Sequence, residues 1–184
     1  MITFNNFKLS ENSPAVNITI PRGSIVYLSQ DFPLTKPFHG EILYENFPIH
    51  HAKKSFETKI LCEINFDCPL NGKASLAKNM KAFAKEFGTK CIWDLPLKYF
   101  NIPQEHWQIK ASKLDDTTNF IATFGISLLN TRDILHMRNI SNKFISSNEE
   151  KMLEVINAKV THGNGIVFYT GENLAFEQEI KIIL

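Results

Sequence analysis

Several groupings in the 184 residues look like pieces of catalytic machinery. Asn71-Gly72-Lys73-Ala74-Ser75 carries the glycine–lysine step of a phosphate-binding loop. Such a loop needs G-x-x-x-x-G-K-[ST] between a strand and a helix. Its backbone N–H groups then cradle the phosphates while the lysine reaches the outer ones. Asp67 stands where the first glycine has to be, so the stretch reads as a turn that caps the next helix. Asp115-Asp116 offers paired carboxylates for metal or acid–base work, but at an exposed helix start the same pair complements the helix dipole. His50-His51 follows Pro48. Strand neighbours face opposite sides, so the pair reads as polar loop rather than metal site. His39, His106, His136 and His162 show no ligand spacing. Cys62, Cys68 and Cys91 fit no zinc, haem or redox motif and read as reduced thiols. No serine or cysteine nucleophile motif is present.

Composition narrows the classes. Apolar residues are 43% and charged residues 21% of the chain, which supports one folded domain over residues 1–184 and argues against disorder. The net charge of +1 gives no general field for nucleic acid or an anionic membrane. No h-region of a secretory signal and no apolar stretch of roughly 20 residues is seen, so membrane association would be peripheral. Glycine is scarce, 8 of 184, which weighs against a glycine-rich phosphate cradle.

Periodicity then places the elements. Ile2–Leu9 and Pro14–Ile20 alternate as half-buried antiparallel strands do. Ser24–Ser29, Gly40–Tyr44, Lys59–Phe66, Asp133–Met137, Ile166–Thr170 and Glu179–Leu184 read as further strands. Ser75–Phe87 is an amphipathic helix with Leu76, Met80, Phe83 and Phe87 on one stripe and Gly88 at its end. Trp93–Phe100 and Asn119–Leu129 are two more helices. Ser147 with Glu150 suggests a capping box opening a helix that buries Met152, Leu153, Ile156 and Val160. Trp93, Trp107 and Phe120 read as core packing, with a docking face as the alternative. An antiparallel beginning, a helical middle and a strand–helix–strand end give an α/β domain with an antiparallel β portion.

Four segments, in order, resemble the nucleotide-binding domain of ABC transporters. Ile18–Ser29 looks like the strand, turn and strand that lead into its phosphate loop. His39–Ile49 looks like the hairpin after the loop's helix. Ser75–Phe87 is similar to the first helix of the helical subdomain, here about residues 72–130. Ser147–Val160 and Gly163–Thr170 resemble the closing helix and strand. The compact length looks most like the CcmA branch, the ATPase subunit of the haem-export machinery of cytochrome c maturation.

The resemblance implies an ABC-ATPase-like mixed sheet, and it locates positions where catalytic groups would stand. The strand ends near Ser29 and the next hairpin begins at His39, with two prolines and no glycine between. A loop plus a three-turn helix needs roughly twenty residues, so both read as deleted. The Mg²⁺- and water-binding carboxylates fall on Arg138-Asn139. A cation there would repel the metal by about 4 kcal/mol per unit-charge contact at 4 Å and an effective dielectric near 20. The signature loop falls on Leu114-Asp115-Asp116-Thr117-Thr118, with two acids and no glycine. The Q-loop glutamine falls on Asp67 and the switch histidine on Glu172.

This implies a non-catalytic ABC-like subunit with no cofactor, no resident metal and no nucleic acid partner. By the same resemblance its partner is an integral membrane subunit, gripped by Asp67–Leu76 and Phe83–Pro96. The residues expected to dock are Asp67, Leu70, Leu76, Phe83, Phe87, Trp93 and Leu95. Its place would be the inner membrane, on the mitochondrial matrix side or the cytoplasmic face of a bacterium. The partner complex would be the haem exporter, or another complex such as a respiratory one. Two alternatives stand beside this. One is an ATPase that completes a composite site with an intact partner. The other is an unrelated α/β interaction domain.

Overall fold

The computed structural model describes residues 1–34, 38–49, 59–67, 70–141, 148–172, 174, 176 and 179–183. Two sheets form the framework. Strands β1 (Ile2–Lys8), β2 (Val16–Ile20), β4 (His39–Tyr44) and β5 (Phe47–Pro48) make an antiparallel sheet in the order β2-β1-β4-β5. Strands β3 (Ile25–Leu28), β6 (Leu61–Asn65), β7 (Ile134–Ile140), β8 (Ile166–Gly171) and β9 (Glu179–Ile182) make a parallel sheet in the order β6-β7-β8-β3-β9.

Side-chain alternation explains how the two sheets share a core. In β1, Ile2 and Phe4 point inward, and then the register slips between Phe4 and Phe7. Asn6 at φ 50 absorbs the extra residue, so Phe7 returns to the core. The β4–β5 turn has Glu45 and Asn46 both at positive φ, the backbone that a two-residue hairpin with right-handed strand twist demands. In β8 every residue from Ile166 to Thr170 is buried, as a central parallel strand requires. Ile166 and Phe168 face Phe4, Phe7 and Leu28 of the antiparallel side. Val167 and Tyr169 face the helices.

Those helices are α1 (Leu76–Glu86), α2 (Leu95–Tyr99), α3 (Asp116–Leu129) and α4 (Glu149–Thr161). Ser75 caps α1 by accepting from Lys78 N, and the buried stripe is Leu76, Met80 and Ala84. These pack with Phe124, Leu135, Met137 and Val167 in one core, so the helical segment is continuous with the sheet's own packing. Strand β7 runs three residues past the expected Met137, and three helices differ from their expected bounds. The helix expected over Trp93–Phe100 contracts to α2 behind a 3₁₀ turn at Lys90–Ile92, because Pro96 has no N–H to give and suits a first turn. Helix α3 starts at Asp116, earlier than Asn119, because Asp115 caps it. Helix α4 opens at Asn148 without a side-chain cap bond; Ser147 of the expected capping box lies outside the described residues, as does His50-His51. Trp93 and Trp107 are half-buried against each other, and Phe120 is buried, in line with core packing.

A polar seam ties the antiparallel sheet to the base of β7. Arg22 donates to Tyr44 Oη at 2.7 Å, Asp133 Oδ2 at 3.2 Å and Glu45 Oε1 at 3.2 Å, and Tyr44 bonds to Asp133. Burial and the Asp133 hydrogen bond push the Tyr44 phenol up to about 12. The side chains of Asp133 and Glu45 are 42% and 47% exposed, so water screens these pairs and they orient the sheets more than they stabilise them.

The apolar contact between the sheets stabilises the protein more than this seam does. Phe4→Ala should destabilise it by about 3–5 kcal/mol, read as a lower urea midpoint at an unchanged slope.

Candidate functional site

In open parallel sheets, ligands bind beyond the carboxyl ends of the strands. Here those ends carry a charged cluster built on β7. Arg138 donates through Nε and Nη2 to both oxygens of Asp31, at 2.7 and 2.6 Å. Its Nη1 reaches Glu63 Oε1 at 2.8 Å. The first pair is bidentate, the geometry that makes arginine–carboxylate contacts strong and directional. Asp31 lies on the segment that leaves β3, Glu63 on β6 and Arg138 on β7, so one guanidinium clamps three parts of the sheet's edge.

The cluster extends on both sides. His136 is fully buried, and its Nδ1 lies 3.4 Å from Glu63 Oε2. Its ring sits between Phe32 and Phe168, with centroids 6.5 and 6.3 Å away. Burial holds the imidazole below its ordinary range, against the pull of Glu63. The Arg138 hydrogen bonds hold Asp31 below the usual carboxylate range. Burial raises Glu63, but His136 and Arg138 outweigh it and its carboxyl also lies low. The Asp31 contact raises Arg138 in turn.

The backbone at this edge is shaped for the cluster. The β7–β8 pairing shifts register between Met137 and Ile140, with Asn139 at φ 61. The bulge turns Asn139 so that its N–H donates to Thr170 Oγ1 at 3.0 Å and its amide to Asp67 Oδ2 at 2.5 Å. Thr170 donates on to Asp31 Oδ1 at 3.3 Å. Gly171, at φ +98, has no room for a side chain: a Cβ would stand 2.3 Å from Ile140 O.

The expected positions therefore divide. Asp67, Arg138 and Asn139 come together at the sheet edge. Leu114, Asp115, Asp116, Thr117 and Thr118 belong to the start of α3. There Asp115 accepts from Thr118 Oγ1 at 2.6 Å and Thr118 N at 2.8 Å, which holds its carboxyl below the usual range. The positive helix end is thus filled by the protein's own carboxylate. Glu172 follows β8, its N–H donating to Ile140 O. Between β3, which ends at Leu28, and β4, which starts at His39, the described residues 29–34 and 38 contain no helix.

The docking residues need correction. Leu76 and Phe87, at 0% and 8% exposed, are core side chains and cannot meet a partner. Leu70, Phe83 and Trp93 are half-buried, while Asp67 and Leu95 reach the surface. Asp31, Glu63, Thr170 and the role of His136 were missed. The signal was a lone glutamate in an apolar strand, Leu61-Cys62-Glu63-Ile64, opposite a strand with a lone arginine.

No protein-family model and no curated protein matches the chain. Solved structures do. The chain is similar to an ABC transporter ATP-binding protein of Pyrococcus furiosus, described as putative, at TM-score 0.76 and 17% identity, over 100% of this chain and 96% of that one. It is similar to a dimeric ATP-binding cassette in a post-hydrolysis state with ADP and Pi, at TM-score 0.79 and 14% identity, over 100% and 94%. It is also similar to cbiO1 of Clostridium perfringens, part of the cbiONQ transporter complex, at TM-score 0.67 and 16% identity, over 93% and 78%. The fold is that of the ABC ATPases.

Arg138→Met should leave two carboxylates facing each other and lower stability by about 2 kcal/mol, between the values for exposed and buried pairs. The sign with pH follows from the two lowered carboxyls. Their contribution is complete above the ordinary carboxylate range and is lost as pH falls through their folded values. Urea unfolding at pH 7 and pH 3.5 should thus show a smaller acid loss in Arg138→Met than in the parent.

Proposed function

We propose that this chain is a non-catalytic ABC-ATPase-like subunit that serves a membrane complex as a structural or docking component. The observation that carries the reading is Arg138, held by Asp31 and Glu63 at the carboxyl edge of the sheet. A nucleotide site there needs a carboxylate for Mg²⁺ and free N–H donors for phosphate. This edge presents a guanidinium already neutralised by two carboxylates. The α3 N-terminus presents an aspartate in the seat an anion would take. The ten residues from Ser29 to Phe38 are too few for a phosphate loop with a three-turn helix of its own. Relative to the ABC pattern, that element was deleted.

The partner is an integral membrane subunit, and the chain lies on the inner face of its membrane, matrix-side in a mitochondrion or cytoplasmic in a bacterium. Among the described residues no helix is long and apolar enough to cross a bilayer. The similar cbiO1 is part of a transporter complex. The first complex to test is the haem-export apparatus of cytochrome c maturation, and a respiratory complex is the second. The surface best suited to the grip is around Leu95 and Ile92, both exposed, beside Trp93.

Two measurements test this. Calorimetric titration with Mg-ATP to millimolar concentration should give no saturable binding and no phosphate release; saturable binding would overturn the non-catalytic reading. Native purification should recover a membrane subunit with the parent chain and several-fold less with Leu95→Glu, a change at an exposed position. Equal recovery from both would remove this docking surface.

A further inference from the structure

A concavity lies away from the Arg138 cluster, between the C-terminal end of α3 and helix α4. It has a volume of about 430 Å³, and Tyr99, Ser127, Asn130, Thr131, Glu154 and Lys159 are among the residues that line it. Two of them are unusual. Asn130 is 8% exposed, and its Oδ1 accepts from Arg132 N at 2.9 Å, which fixes the orientation of the amide. Among the described residues the buried Nδ2 donor has no partner. An unmade hydrogen bond at such a group is costly, about 1–3 kcal/mol, and native proteins rarely leave one empty.

Lys159 is the second. Its ammonium donates to Arg132 O, which occupies one of three donors. Burial lowers its proton affinity. Among the described residues no carboxylate reaches ion-pair distance of it. The negative groups that act on it are Asp133 and Cys62. Asp133 is held by Arg22 and Tyr44, and burial pushes the Cys62 thiol up to about 12, so it stays neutral. Glu154, also in the wall, accepts from Tyr99 Oη at 2.6 Å. Among the described residues the cleft thus holds both acids engaged elsewhere, an amide donor without an acceptor, and an ammonium with one of its three donors taken.

We infer that this cleft binds a small molecule through an oxyanion, a carboxylate or a phosphate, that meets Lys159 and the Asn130 amide. The volume suits a compact metabolite rather than a peptide or nucleotide chain. The charge and the donors supply what an oxyanion needs. The inference stands independently of the membrane-subunit reading.

The test is a titration of ¹⁵N-labelled protein with sodium acetate, succinate and inorganic phosphate, each against sodium chloride at equal ionic strength, followed by amide correlation spectra. Saturable shifts are expected at the Asn130 side-chain amide and at backbone amides of residues 127–133 and 154–163. Saturation by acetate and succinate alone assigns a carboxylate ligand, and by phosphate alone a phosphate ligand. Lys159→Met and Asn130→Asp, which keeps the acceptor for Arg132 N, should each weaken binding at least tenfold, while Lys159→Arg retains it. Thermal unfolding of each variant checks the fold, and Lys159→Met decides the matter where Asn130→Asp fails to fold. Shifts that grow linearly as with chloride, or equal affinity in parent and Lys159→Met, would overturn the assignment.

Discussion

One guanidinium governs the carboxyl edge of the parallel sheet. Arg138 projects from a strand whose neighbours are apolar, into a place where a bare cation would be costly. It is tolerated because β3's exit brings Asp31 to one side and β6 brings Glu63 to the other. That requirement reaches outward. The segment after β3 must fold back to deliver Asp31, Thr170 must accept from Asn139 and donate to Asp31, and β7 must bulge at Asn139. Phe32, next to Asp31, packs toward His136 and Phe7. The charged clamp and the apolar core between the sheets are therefore built from adjacent residues.

The two polar junctions of β7 differ in kind. At its start, Asp133 joins the exposed seam with Arg22, Tyr44 and Glu45, where water screens the charges. At its end, Arg138 is only 17% exposed and its partners less than a third exposed. The same pairing chemistry is weak at one end of the strand and stronger at the other because the surroundings differ in polarity.

Much of the architecture was legible in the sequence. The alternation in Ile2–Lys8 and the continuous apolar run of Ile166–Thr170 report how many faces of each strand are buried, and burial is a local property of the pattern. The Ser75 cap and the Leu76–Met80 stripe were equally readable. The ends of α2 and α3 were not, because Pro96 and the Asp115 side chain decide them by single hydrogen bonds that periodicity does not register. The candidate site was half legible. Arg138 was recognisable as a cation in the wrong place for a metal. Its neutralisers were not, since Asp31 and Glu63 lie 107 and 75 residues away in the chain and only the sheet order brings them together. Leu76 and Phe87, legible as one apolar stripe, fail as docking residues because a stripe shows which face is apolar and not what covers it.

The position of β3 has a further consequence, for synthesis on the ribosome. Ile25 pairs with Val167 on one side and with Glu179 on the other. The antiparallel sheet needs nothing beyond Pro48 and can close early. Strand β3 emerges with it yet has no partner until the last strands appear, at about 5–20 residues per second some 7–30 s later. Through that interval an apolar strand with two open edges waits in a nascent chain. Such a strand is a substrate for holding chaperones and a seed for wrong pairing, so this fold's main hazard is one of timing rather than of final stability.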